Sequence, residues 1–132
     1  MNAIYLVEPH GRLLLTGLKT HILKGRYYKN FINKPLILVE DKKAFGIISL
    51  EEPDKIETER DFLKTFEKHR VSKEDAFKWW GRITDLFIYP VKVWFLFSKP
   101  VLIEVPHGVQ TFFSISDKRI LDKIPDWILK QS

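Results

Sequence analysis

The sequence contains no cysteine, so disulfide staples and thiolate-held zinc are excluded outright. It has one methionine and little asparagine or glutamine, while lysine, glutamate and isoleucine are common. That mix suits a thermophile. No run of about 18 apolar residues occurs, so no transmembrane helix is expected. The opening MNAIYLVEPHGR lacks a charged start followed by a long apolar stretch, so no signal peptide is expected and a cytoplasmic location is the default. One further scarcity is local. Between Pro9 and Val39 there is no acidic residue.

That acid-free stretch carries Arg12, Lys19, Lys24, Arg26, Lys29 and Lys34, with His10 and His21. The next segment, Glu40 to Lys68, holds nine acids. Segregated positive charge is the footprint of a phosphate-bearing partner. It also fits a solvated face neutralised by the acidic half in three dimensions. The formal net charge is +5.

At 132 residues, 45% hydrophobic and 14% aromatic, the chain reads as one ordered domain spanning 1–132. Ala3–Val7 reads as an opening strand, and His10–Leu18 as a short helix or turn. Lys19–Arg26 reads as an imperfect strand with a bend at Gly25. PLILVE (Pro35–Glu40) and AFGIISL (Ala44–Leu50), split by a short polar turn, predict a hairpin. Helical spacing of Phe62, Leu63 and Phe66 follows Thr58. A second helix is expected over Ser72–Trp80, capped by Ser72 and stopped by Gly81. DLFIYPVKVWFLF (Asp85–Phe97) predicts a long strand bent near Pro90. Pro100–Val105 and Gly108–Phe113 predict two more strands. A helical segment broken by Pro125 closes the chain. The sum is an α+β fold: a small, mixed, mostly antiparallel β-barrel with inserted helices.

Motifs for common chemistries are absent. The four histidines form no HxxxH or HxH pair, and no GxxxxGK[ST], GxGxxG or GxSxG occurs. No metal or cofactor is expected. His69 is expected to close a helix C-terminus as a cation. Trp94 reads as core, and Trp127 as an anchor for the final helix. Trp79 and Trp80 are adjacent on a helix and diverge by about 100°. One is expected in the core and the other as a stacking platform for a base. Tyr28 beside Arg26 interleaves an aromatic with charge, as single-strand binders do. Gln110 and Thr111 follow a glycine turn, where a glutamine can read a base edge.

Four segments resemble a known family. GLKTHILKGR (Gly17–Arg26) is similar to the GxKxxExR signature of ASCH domains, members of the PUA-like superfamily. KPLILVEDKKAFGIISLEEP (Lys34–Pro53) resembles the barrel core of that family. KHRVSKEDAFKWWG (Lys68–Gly81) and FSKPVLIEVPHGVQTFF (Phe97–Phe113) resemble a little-characterised PUA-like group of archaea and their viruses. The glutamate of the signature is replaced here by Ile22 or Leu23, depending on register. The resemblance implies a barrel with a cleft near Lys19, of a kind that commonly binds RNA or modified bases. Some ASCH proteins are hydrolases, including an acetylcytidine amidohydrolase that uses a Lys, a Thr and a Glu. Lys19 fits that lysine, the threonine position is Ile22 with Thr20 too close, and Glu74 is a candidate for the acid.

The expected ligand-contacting residues are therefore Lys19, Thr20, Lys24, Arg26, Tyr28, Trp79, Trp80, Gln110 and Thr111. The leading expectation is a module that binds RNA or a modified nucleotide. A hydrolase of a modified nucleoside or RNA and a protein–protein adaptor are the alternatives. An acid within reach of Lys19 would favour the hydrolase, and a flat aromatic patch the adaptor.

Overall fold

The computed structural model describes residues 1–108 and 111–132. Its strands are β1 (Asn2–Tyr5), β2 (His21–Lys24), β3 (Leu36–Glu40), β4 (Lys43–Leu50), β5 (Asp54–Ile56), β6 (Leu86–Leu102) and β7 (Phe112–Ser114). Its helices are α1 (His10–Thr16), α2 (Glu59–Lys64), α3 (Phe66–His69), α4 (Lys73–Trp80), α5 (Lys118–Leu121) and α6 (Asp126–Leu129). The strands join in one sheet of order β2-β6-β4-β3-β1-β7, with β5 also on β6. The β1–β3 pair is parallel and the other ladders are antiparallel. The sheet curls into a half-barrel rather than closing.

Burial explains the strand sequences. Every residue of β3 is buried. Leu36 and Leu38 face the concave core with Ile4, Ile22, Ile48 and Tyr89. Ile37 and Val39 face the opposite side, under Ile120, Ile124 and Ile128 of the C-terminal helices. A strand covered on both faces reads as a continuous apolar run, which is why PLILVE does not alternate. A third cluster, with Phe62, Val71, Ala76 and Leu86, seats α2 to α4.

The strand β6 is the spine. Its first half pairs with β2 on one edge and with β5 on the other, and its second half pairs with β4. It runs on to Leu102, so Pro100–Leu102 completes this strand instead of starting a new one. Of the expected Gly108–Phe113 strand, Phe112 and Phe113 lie in β7, which runs on to Ser114, and residues 109–110 lie outside the described residues. At the β4–β6 crossing, a side chain on Gly46 would sit 2.2 Å from the Phe95 carbonyl oxygen, so only glycine fits there. Helices are inserted between β4 and β6 as expected, but there are three of them, α2 to α4, preceded by β5. Thr58 closes a full capping box on α2, Ser72 caps α4, and Gly81 ends α4 in the left-handed region.

One aromatic expectation changes, that of Trp94. Trp94 is half-buried, donates to Ser49 Oγ at 2.8 Å and stacks on Trp127 with ring centroids 6.0 Å apart. Trp127 remains 54% exposed while docking there. No helix among the described residues is long and apolar enough to cross a membrane.

Candidate nucleic-acid interface

A cleft of about 670 Å3 opens between the start of α1, the β2 strand and the end of α4. Its lining includes His10, Lys19, Lys24, Arg26, Tyr28, Lys78, Trp79, Trp80, Arg82 and Thr111. Each element delivers its residue for a local reason.

His10 begins α1. This helix has no side-chain cap of its own at Pro9. The buried Glu40 carboxylate supplies one, accepting from the backbone N–H of Gly11 at 2.9 Å and of Arg12 at 3.4 Å. A negative group there also complements the helix dipole. The Cβ of Glu40 lies 3.0 Å from where a side chain on Gly11 would begin, so glycine makes the approach easy. Arg12 then closes an ion pair with Glu40 at 3.3 Å. Part of the acid-free segment is thus neutralised by the acidic half.

Lys19 follows the left-handed Gly17 that ends α1. Its backbone N–H donates to the Leu13 carbonyl, and the next N–H donates to Lys68. The side chain is 3% exposed, and Nζ donates to His10 Nδ1 at 2.7 Å. An amine of this kind meeting Nδ1 leaves the His10 proton on Nε2. The His10 ring also meets Trp79 edge-on at 5.7 Å.

The electrostatics follow from burial without counter-charge. Desolvation, helped by the Lys24 charge, lowers Lys19 to about 7. Desolvation alone lowers Lys24 to about 8. His10 falls to about 4, mainly by desolvation and then by Lys19, against a small opposing pull from Asp75. At neutral pH the cleft therefore holds a neutral imidazole and two lysines in easy reach of deprotonation. No carboxylate is among its described lining residues.

The aromatic wall is built by α4. Both Trp79 and Trp80 are half-buried and both line the cleft, with rings 5.7 Å apart at 81°. The expected division into one core ring and one platform is not what the fold makes. Both rings pack against the third core cluster on one side while lining the cleft on the other. Trp80 lies against Gly25, where an added Cβ would sit 3.0 Å from its Cδ1. Arg82 donates from Nη2 to the Gly25 carbonyl at 2.9 Å and ties β2 to α4.

Tyr89 holds the next segment. Its buried hydroxyl donates to the Arg26 carbonyl at 2.6 Å and accepts from the Tyr28 N–H at 2.8 Å. This fixes the backbone that carries Arg26 and Tyr28. Desolvation raises the Tyr89 phenol to about 12, so it stays a donor.

Of the sequence-derived residues, the fold brings together Lys19, Lys24, Arg26, Tyr28, Trp79, Trp80 and Thr111. Thr20 is exposed and lies off the lining. Its hydroxyl bonds His21 Nδ1, and its carbonyl receives the Val91 N–H. Gln110 lies outside the described residues. Glu74 is exposed and off the lining. His10, Lys78 and Arg82 were not anticipated. The last two flank the Trp-Trp pair in sequence, which is the signal that pointed there. His10 carries no spacing motif toward Lys19.

His69 corrects a further expectation. It is fully buried, and Nε2 bonds the Phe62 carbonyl at 3.0 Å while Nδ1 accepts from the Val71 N–H at 2.9 Å. Those two bonds specify the neutral ring, and desolvation lowers it to about 4. It is a buried connector, not a helix-end cation. No protein-family model and no curated protein matches the chain.

Proposed function

We propose that the cleft binds single-stranded nucleic acid or a nucleotide, with the phosphate on the lysines and arginine and a base against the tryptophans. The observation that carries this is a concave site holding Lys19, Lys24, Arg26 and Lys78 beside Trp79 and Trp80, with no carboxylate among its described lining residues. Cations without counter-charge favour a polyanion, and aromatic faces favour bases of any sequence. The size falls in the usual range of about 300–1,000 Å3 for small-ligand sites. The preference for RNA, and the PUA/ASCH-like identity of the half-barrel, rest on the four sequence segments described above. The hydrolase reading gains less support, because Lys19 meets an imidazole and the Glu74 proposed for the acid lies away from it.

The test is tryptophan fluorescence during titration with an oligouridylate and, separately, with inorganic polyphosphate. Stacking predicts quenching by the oligonucleotide only, with polyphosphate competing for the same site. Absence of quenching at low salt would contradict the reading.

A further inference from the structure

The Lys19–His10 contact is more than a phosphate grip needs. A cation that only binds phosphate gains from staying charged and exposed. Lys19 is instead buried, feels the Lys24 charge and points its nitrogen at a neutral imidazole. Those are the surroundings that turn a lysine into a nucleophile. Around it stand His10 on α1, Lys24 on β2 and His69 on α3, and Asp75 on α4 acts on His10. Among these, Asp75 is the single acid.

We propose that Lys19 is a nucleophilic amine that condenses with the aldehyde of a sugar phosphate held in this cleft. This rests on the anion-binding reading above and names the substrate class. The neutral Nζ lone pair attacks the carbonyl carbon, a C–N bond forms, and the carbonyl C=O electron pair moves onto oxygen. His10 Nδ1, already 2.7 Å from Nζ, takes a proton from the now cationic nitrogen and passes it to that oxygen, giving the carbinolamine. A solvent proton converts the hydroxyl to water, which leaves as the nitrogen lone pair closes the C=N bond, and the remaining N–H proton returns to solvent. The sum is amine plus aldehyde giving imine plus water, with no redox change. Lys24, Arg26 and Lys78 hold the phosphate. The aldehyde can belong to a free sugar phosphate or to an abasic site in a strand, because both present the same two groups.

The experiment is timed incubation followed by a sodium borohydride quench, which reduces an imine to a stable secondary amine located by peptide mass mapping. One arm uses ribose 5-phosphate and the other a single-stranded oligodeoxynucleotide with one abasic site. Wild type should label at Lys19 in at least one arm, and the arm that labels assigns the source. Labelling should be lost in Lys19→Arg and Lys19→Met, with circular dichroism confirming their fold, and kept in the exposed control Lys123→Arg. Lys19 labelling should rise with pH through about 7 and then level off. An ordinary surface lysine would continue to gain reactivity toward about 10.4. No adduct, or labelling undiminished in Lys19→Met, overturns the proposal. An oligonucleotide bearing tetrahydrofuran at the same position lacks the aldehyde and reports binding alone. If it binds and no adduct forms, the chemistry fails and the binding reading stands. If ribose 5-phosphate labels Lys19 and the oligonucleotide does not bind, the nucleic-acid reading fails and the chemistry stands.

Discussion

Lys19 Nζ donates to His10 Nδ1 across 2.7 Å in a site where the lysine is 3% exposed. Folding has to strip water from that amine, and its direct hydrogen-bond partner among the described residues is neutral. Such an arrangement costs stability, and stability given up at one position is a mark of function.

Lys19→Met should therefore stabilise the protein. The thioether fills similar space and removes the buried amine, at the loss of one donor to His10. A gain of about 1–3 kcal/mol is expected near neutral pH. Urea unfolding of the two proteins measures it. A loss of stability would mean that the amine is structural.

Acid should destabilise the fold through its two buried histidines. His10 and His69 take a proton near 6.5 when unfolded but near 4 when folded. Between those values the unfolded chain binds more protons, so stability falls as pH falls from 6.5 to 4. Each histidine contributes on the order of 3 kcal/mol at the acid end. Thermal melts across this window check it, and a flat profile would contradict the neutral rings.

Much of the fold was legible because local signals agreed with the final packing. Ser72 and Gly81 bracket α4 as their chemistry requires, and the two apolar runs around Asp41-Lys42 form the β3–β4 hairpin. The length of β6 was not legible. Pro100 reads as a strand start, yet it is tolerated inside β6 because it falls in the irregularity between Leu96 and Val101, where the β4 register skips it. The site was half legible. Basic residues and the Trp-Trp pair stood out by composition. The burial of Lys19 and the tie between Glu40 and α1 depend on contacts across 9 and 29 residues, which no local pattern encodes.

Gly25→Ala should disturb the wall of the cleft. The new Cβ would sit 3.0 Å from Trp80 Cδ1 and 3.4 Å from Arg82 Nη2, so the ring must shift. Overpacking of this kind costs about 1–3 kcal/mol. Denaturant melts should show that loss, together with a changed tryptophan emission spectrum. An unchanged spectrum would mean that Trp80 does not depend on this contact.

Tyr89→Phe removes the hydroxyl that pins Arg26 and Tyr28. The Tyr28 N–H and Arg26 carbonyl lose a partner, at a cost of about 1–3 kcal/mol. Oligonucleotide affinity should fall through lost positioning, and calorimetric melts together with binding titrations test both effects. Normal affinity would mean that the segment holds itself.

The central claim is that this cleft grips phosphates and stacks a base, and fluorescence anisotropy of a labelled single-stranded RNA at several salt concentrations tests it most directly. Each phosphate contact contributes about −0.7 to the slope of log affinity against log salt, so two or three contacts give a slope of about −2. Arg26→Ala and Lys24→Ala should each make the slope shallower by nearly one contact. Substitution of Trp79 or Trp80 should weaken binding by about 1–3 kcal/mol with the slope intact. No binding at low salt, or a slope unchanged by both basic substitutions, would contradict the account.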